Sequence, residues 1–209
     1  MKCKNNCAFC NVIEGERVYG RIDTPLYETP NFIVLSTIGA LVEGWVLIIP
    51  KKCDYSMKSH YSDSEFVSIV DDTKKRLFRQ YGKNIIIFEH GANNYGSLTS
   101  CGTNHAHLHM LPFSDSLLSE MKKGYDWQKC KPCHIDKFSN NREYLYYCEL
   151  LNDSVSNTEG HFHLLTEQIS QYFRKLIATK IGNPGQYDYK LYPQTEIALK
   201  TYNDLSQGV

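Results

Sequence analysis

An α+β fold is what this sequence predicts, and three observations predict it. Strand-like apolar runs flank one long amphipathic helix between residues 26 and 112. Residues 104–112 then alternate strictly between two faces, and a second set of strand and helix patterns follows residue 113. The reading is a first domain over 1–113 and a C-terminal extension over 114–209 packed on it, with a hairpin and helices.

The elements follow in order. Residues 32–35 (FIVL) and 45–49 (WVLII) are rich in β-branched and aromatic side chains, and Gly44 and Pro50 bound the second run. From about Ser62 to Gln80, Phe66, Ile69, Val70, Thr73 and Leu77 recur at helical spacing. Ser62 or Asp63 is placed to cap that helix, and Gly82 to end it. A strand over 84–89 (NIIIFE) precedes a long loop over 90–102, rich in Gly, Ser, Thr and Asn. The alternating strand 104–112 comes next. Residues 114–142 are polar and Lys-rich and read as an irregular connection. A strand over 143–151, a turn-rich loop and a strand over 161–164 make a hairpin. Ile169, Tyr172, Phe173, Leu176 and Ile177 mark a helix ending near Gly182, and 194–205 a last helix.

Composition narrows the function. The 209 residues are 42% hydrophobic and 22% charged, ordinary for a globular protein. Lys+Arg and Asp+Glu both number 23, so no global basic field gathers nucleic acid. The polar N-terminus lacks the apolar core of a secretory signal, and no run of about 18 apolar residues offers a membrane span. Eight cysteines then read as thiols or metal ligands of a cytoplasmic protein.

His105, His107 and His109 carry the chemistry. At i, i+2 and i+4 on a strand they share one face, roughly 6.6 Å apart in succession, while Ala106, Leu108 and Met110 can anchor the opposite face. A neutral imidazole with one nitrogen free can attack phosphorus, and a carbonyl accepting from the other nitrogen would fix that tautomer. Neighbouring imidazoles could hold phosphate oxygens or protonate the leaving group. Simple surface decoration and metal binding by the three histidines themselves are the other readings of the spacing.

Residues 105–111 (HAHLHML) resemble, at every position, the His-φ-His-φ-His-φ-φ motif of the histidine triad (HIT) superfamily, φ being apolar. The start around Cys7–Cys10 is similar to that of its zinc-containing members, and 43–51 (EGWVLIIPK) to a strand of the same family. This resemblance implies a HIT-like antiparallel sheet with a long helix. It also implies a hydrolase or nucleotidyltransferase acting through a nucleotidyl adduct on His107. Nucleoside phosphoramidates, dinucleoside polyphosphates and adenylated adducts are the implied substrates, and a homodimer is a further expectation. Departures from the family pattern place Cys101 where a phosphate-contacting Gln is common, Glu89 where an Asn touches ribose, and Thr37 at an acidic ribose position. Main-chain N–H groups of Gly102 and Thr103 could serve phosphate.

The same resemblance supplies a zinc site. Cys7 and Cys10 have a chelating spacing that by itself lacks two ligands. The family's further positions fall on Cys53 and His105, giving a closed Cys3His set and a structural role for the metal. Cys130 and Cys133 form a second Cys-x-x-Cys with Cys148 as a further candidate, read either as a second zinc site or as ordinary thiols. His161 and His163 read as exposed strand residues, and Lys51 and Lys52 as solvated. Residues 171–189 resemble the segment that follows the HIT-like domain in CwfJ-type proteins, linked to RNA processing. The alternative function is accordingly a non-catalytic protein that holds a nucleotide or an RNA end.

Overall fold

The computed structural model describes residues 7–94, 97, 105–151 and 153–207. Their helices are α1 (Ala8–Ile13), α2 (Ser64–Tyr81), α3 (Leu118–Met121), α4 (Ile135–Ser139), α5 (Tyr172–Lys180) and α6 (Thr195–Ser206). The strands are β1 (Tyr27–Glu28), β2 (Phe32–Ser36), β3 (Val46–Pro50), β4 (Ile85–Gly91), β5 (Leu108–Pro112), β6 (Gln128–Cys130), β7 (Tyr144–Leu150) and β8 (Gly160–Leu164). All eight form one sheet in the order β1-β2-β3-β5-β4-β7-β8-β6, and every pairing is antiparallel. The architecture is α+β, as the sequence predicts.

The long helix starts and stops where its chemistry dictates. Asp63 caps α2 by accepting the Glu65 N–H at 2.8 Å, and Gly82 ends it in the left-handed region at φ 61°. Phe66, Ile69, Val70 and Leu77 bury one stripe of the helix against the sheet, meeting Val34, Val46, Ile87, Leu108 and Met110.

The other sheet face is covered in two separate patches. Helix α1 brings Val12 over Ile33, Leu35, Leu47 and Ile49. Helix α5 brings Phe173, Ile177 and Ala178 over Trp45, Ile86, Phe88, Leu145 and Tyr147. Because every strand alternates, residues of this second face are the odd or even partners of those packed under α2. The seam between the two covers is where the histidines emerge.

Three expectations need correction. Strand β5 begins at Leu108, so His105 and His107 lie just before it, and only His109 is inside the ladder. Residues 114–142 are not an irregular connection: they contain α3, α4 and the edge strand β6, whose Gln128 and Lys129 face solvent and hide the strand pattern. The extension also does more than pack on the first 113 residues. Strand β7 pairs with β4 over seven residues, from Ile85 opposite Leu150 to Gly91 opposite Tyr144, so one sheet runs through both parts.

Candidate active site

Each histidine of the triad has its proton position dictated by a partner that can play only one role. His107 Nδ1 lies 2.8 Å from the carbonyl oxygen of His105, which only accepts, so Nδ1 carries the proton and Nε2 keeps its lone pair. His105 Nε2 lies 2.7 Å from the carbonyl of Pro50, so its proton is on Nε2 and its Nδ1 lone pair is turned toward the Cys7 and Cys10 thiols. The indole N–H of Trp45 donates to His109 Nδ1 at 3.0 Å, which leaves the His109 proton on Nε2. Three imidazoles, three fixed tautomers.

Packing keeps these rings in place. His109 stacks on Phe88, with centroids 4.5 Å apart and planes 20° apart, and meets His107 edge-on at 4.8 Å. Phe9 of α1 reaches over the seam, 5.3 Å from the His107 ring and 6.0 Å from that of His105. Ala106, Leu108 and Met110 are buried under α2, as the alternation requires.

Burial sets the charge state. His107 is pushed down to about 4, chiefly by desolvation, so it is neutral at pH 7. Burial, the adjacent His107 and the Arg174 guanidinium hold His109 well below the usual imidazole range. His105 is lowered as well, again by burial.

His107 and His109 open into a cleft of about 280 Å³. The apolar Val12, Leu35 and Leu47 line it together with Asp23, Thr37, Arg174 and Tyr189. Sequence reasoning missed Asp23, Arg174 and Tyr189, together with Trp45 and Phe9, because nothing in their spacing ties them to residues 105–109. His90 was missed too. It lies close enough to act electrostatically on both His107 and His109, and its ring is 5.6 Å from Phe173. Strand parity was the available signal, since His90 shares the face of Phe88.

Parity also removes Glu89 from the site. Its carboxylate is 1% exposed and sits under α2 on the opposite face of the sheet. There it accepts from the Met57 N–H at 2.6 Å, the Tyr61 hydroxyl at 3.0 Å and the Tyr144 hydroxyl at 2.9 Å. It cannot touch ribose in the triad cleft. Thr37 does line that cleft, its hydroxyl donating to the Ile38 carbonyl at 3.2 Å. Cys101, Gly102 and Thr103 lie outside the described residues.

Cys7, Cys10 and His105 converge as a candidate metal centre. Cys7 caps α1 and Cys10 lies in it, one turn on, so both thiols point the same way. Each Sγ is 3.5 Å from His105 Nδ1, and the three donor atoms lie within 4.8 Å of one another. Zn–S and Zn–N bonds of about 2.3 and 2.0 Å at the tetrahedral angle demand an S···N edge of about 3.5 Å, so the donor set fits zinc. The Pro50 carbonyl supplies the outer hydrogen bond that orients a ligating imidazole. Cys53 corrects the expected fourth ligand: it is disulfide-bonded and has no thiolate to offer.

The remaining candidates lie elsewhere. Among the described residues no metal-binding group forms around Cys130, Cys133 and Cys148. The Cys130 thiol faces the Lys131 carbonyl at 3.2 Å, and Cys133 is exposed. His163 donates to the Asp126 carbonyl at 2.8 Å and packs against Tyr125 and Trp127, on β8 rather than on the strands beside the triad. Lys51 pairs with Glu28 at 2.8 Å. No described helix is long and apolar enough to cross a membrane.

No family model and no curated protein matches this sequence. Among solved structures the chain is similar to a Hit-like protein involved in cell-cycle regulation from Bartonella henselae, at 21% identity and a TM-score of 0.40, over 56% of this chain and 82% of that one. It is similar to a HIT family protein from Bacillus anthracis, at 20% identity and a TM-score of 0.41, over 54% of this chain and 76% of that one. A HIT family hydrolase from Clostridium thermocellum matches at 22% identity and a TM-score of 0.40, over 54% of this chain and 95% of that one. All three bear the name of the histidine triad family, the family whose motif residues 105–111 resemble.

Proposed function

We propose that the chain is a HIT-type nucleotide hydrolase or nucleotidyltransferase whose nucleophile is His107. One observation carries this reading: the His107 Nδ1–H donates to the His105 carbonyl, so the ring, kept neutral by burial, holds its lone pair on Nε2 at a cleft. Nε2 forms a bond to phosphorus as the bond from phosphorus to the leaving group breaks, and that bonding pair departs with the leaving group. Water then cleaves the N–P bond, returning neutral His107 in a hydrolase; another acceptor takes the nucleotide in a transferase.

Other groups support a nucleotide in the cleft. The Nε2–H of His109 is a donor for a phosphate oxygen. Asp23 and Thr37 offer an acceptor and a hydroxyl to a sugar. A base can lie against Leu35, Leu47 and Tyr189. A zinc ion held by Cys7, Cys10 and His105 would tie α1 to the segment that carries His107.

The test is turnover of a nucleoside phosphoramidate and a dinucleoside polyphosphate by wild type and by His107→Asn. The variant should lose activity by at least about 10⁴-fold while keeping its circular dichroism spectrum. Comparable turnover in the variant would overturn the reading. Nucleotide binding without turnover by wild type would favour the non-catalytic alternative.

A further inference from the structure

A second cavity opens beside the triad cleft, and one side chain is common to both. It measures about 420 Å³ and is lined by Tyr19, Arg21, Ile22, Thr195, Glu196 and Leu199. Tyr19 also lines the cleft that holds His107 and His109. Two hydrogen bonds tie the spaces together. The Tyr19 N–H donates to the Asp23 carboxylate at 2.6 Å, and the Ser36 hydroxyl donates to the Ile22 carbonyl at 3.4 Å. Asp23 and Ser36 belong to the cleft, Tyr19 and Ile22 to the cavity.

Local geometry makes this wall two-sided. Residues Gly20–Asp23 form a 3-10 turn packed between β2 and α6. At three residues per turn, Arg21 and Asp23 leave the backbone about 120° apart, so Asp23 serves the cleft and Arg21 the cavity. The first turns of α6 bring Thr195, Glu196 and Leu199 to the facing wall.

The lining carries the groups that a nucleotide needs. Tyr19 and Leu199 are 45% and 39% exposed, and they offer a base an aromatic and an aliphatic surface to cover. Thr195 supplies a hydroxyl, and Glu196 a carboxylate that accepts from the hydroxyls of a ribose. Arg21 supplies a fork of N–H donors suited to a phosphate. Neither Arg21 nor Glu196 makes an ion pair or a side-chain hydrogen bond among the described residues, although both line one cavity.

We infer that this cavity seats a second nucleoside, the one on the departing side of the substrate, while the first lies in the triad cleft. The inference rests on the nucleotide-transfer reading above and makes dinucleoside polyphosphates the favoured class. Their phosphate chain crosses beside Tyr19 and meets Arg21. When the bond from phosphorus to the bridging oxygen breaks, its electron pair stays on that oxygen and leaves with the departing nucleotide. Contacts to that nucleotide, remote from the reacting phosphorus, hold the ground state and the transition state alike, so they act on KM rather than kcat. A small amine leaving group does not reach past Tyr19 and gains nothing from them.

The experiment compares wild type, Arg21→Ala and Leu199→Asp on a dinucleoside tetraphosphate and on a nucleoside phosphoramidate that releases ammonia. Each variant should raise KM for the tetraphosphate by at least about 10-fold, with kcat within about twofold of wild type. KM for the phosphoramidate should stay within about twofold. An unchanged KM for the tetraphosphate overturns the inference, as does an equal rise on both substrates. A second readout titrates the protein with each of the four common nucleoside monophosphates and follows backbone amides by NMR. At least one of them should shift Arg21, Thr195 and Leu199 saturably in wild type, and Leu199→Asp should abolish those shifts. If none of the four moves these amides, the assignment falls even with turnover intact. If wild type turns over neither substrate, the nucleotide-transfer reading fails by itself, and the titration still decides whether the cavity takes a nucleotide.

Discussion

The indole N–H of Trp45 ends on His109 Nδ1 at 3.0 Å, and this one bond decides which nitrogen of His109 can meet a substrate. Trp45 is fully buried just before β3, and His109 lies on β5 beside it, where Leu47 is its direct partner. The indole has no acceptor, so the bond cannot reverse.

Replacing Trp45 by Phe should release that constraint. The Nδ1–H tautomer of His109 becomes accessible and the donor facing the cleft is lost part of the time. We expect kcat to fall about tenfold, with a stability loss below the roughly 3–5 kcal/mol of truncation to Ala. Nitrogen NMR shifts of His109 would report the tautomer directly. An unchanged tautomer would refute the role given to the indole.

The rate should be insensitive to pH over most of the physiological range. His107 is held at about 4, so Nε2 keeps its lone pair at any higher pH. The nucleophile's contribution to kcat/KM should be flat above pH about 5 and drop tenfold per pH unit below about 4. Stability follows the same group. Between pH 6.5 and 4 the unfolded chain binds a proton that the folded His107 does not, so stability declines as pH falls through that window. A titration midpoint near 6.5 in the rate profile, tracked to His107 by NMR, would contradict both statements.

Glu89 gives the opposite sign. Burial pushes its carboxyl up to about 7, above an unfolded value of 4.5, so the folded state favours the protonated form. The associated stability is complete below pH 4.5 and is lost as pH rises toward 7. Its size is on the order of 3 kcal/mol. Glu89→Gln should flatten this slope in urea unfolding at pH 5 and pH 7.5. Its turnover should match wild type, because the side chain faces α2 rather than the cleft.

Zinc content should separate Cys10 from Cys53. Cys10→Ser removes a thiolate from the converging set and should lower bound zinc and melting temperature together. Cys53→Ser should leave the zinc stoichiometry intact, since that sulfur is committed to a disulfide. Elemental analysis of purified protein reads both. Loss of zinc in the Cys53 variant would restore it to the ligand set.

Much of the site was legible because it is local. Three histidines at alternate positions and two cysteines one helical turn apart declare a shared face through backbone geometry alone. Tertiary contacts were invisible for the same reason: Arg174 donates to the Gly39 carbonyl, yet the two are far apart in sequence and have no common spacing. The Glu89 assignment failed through a one-residue difference in strand parity, which sends a side chain to the other side of the sheet. Strand β6 failed because an edge strand with exposed Gln128 and Lys129 carries no apolar alternation.

By itself, then, the sequence determined the α+β class, the long helix from its cap at Asp63 to Gly82, and a row of three imidazoles with His107 at its centre. Only the tertiary structure decided that the extension joins the same sheet, that Arg174 enters the cleft, and which nitrogen of each histidine carries its proton. Periodicity reports which way a side chain leaves its own backbone. Charge state and tautomer depend on what another segment places within 3 Å of it, and chain folding alone supplies that neighbour.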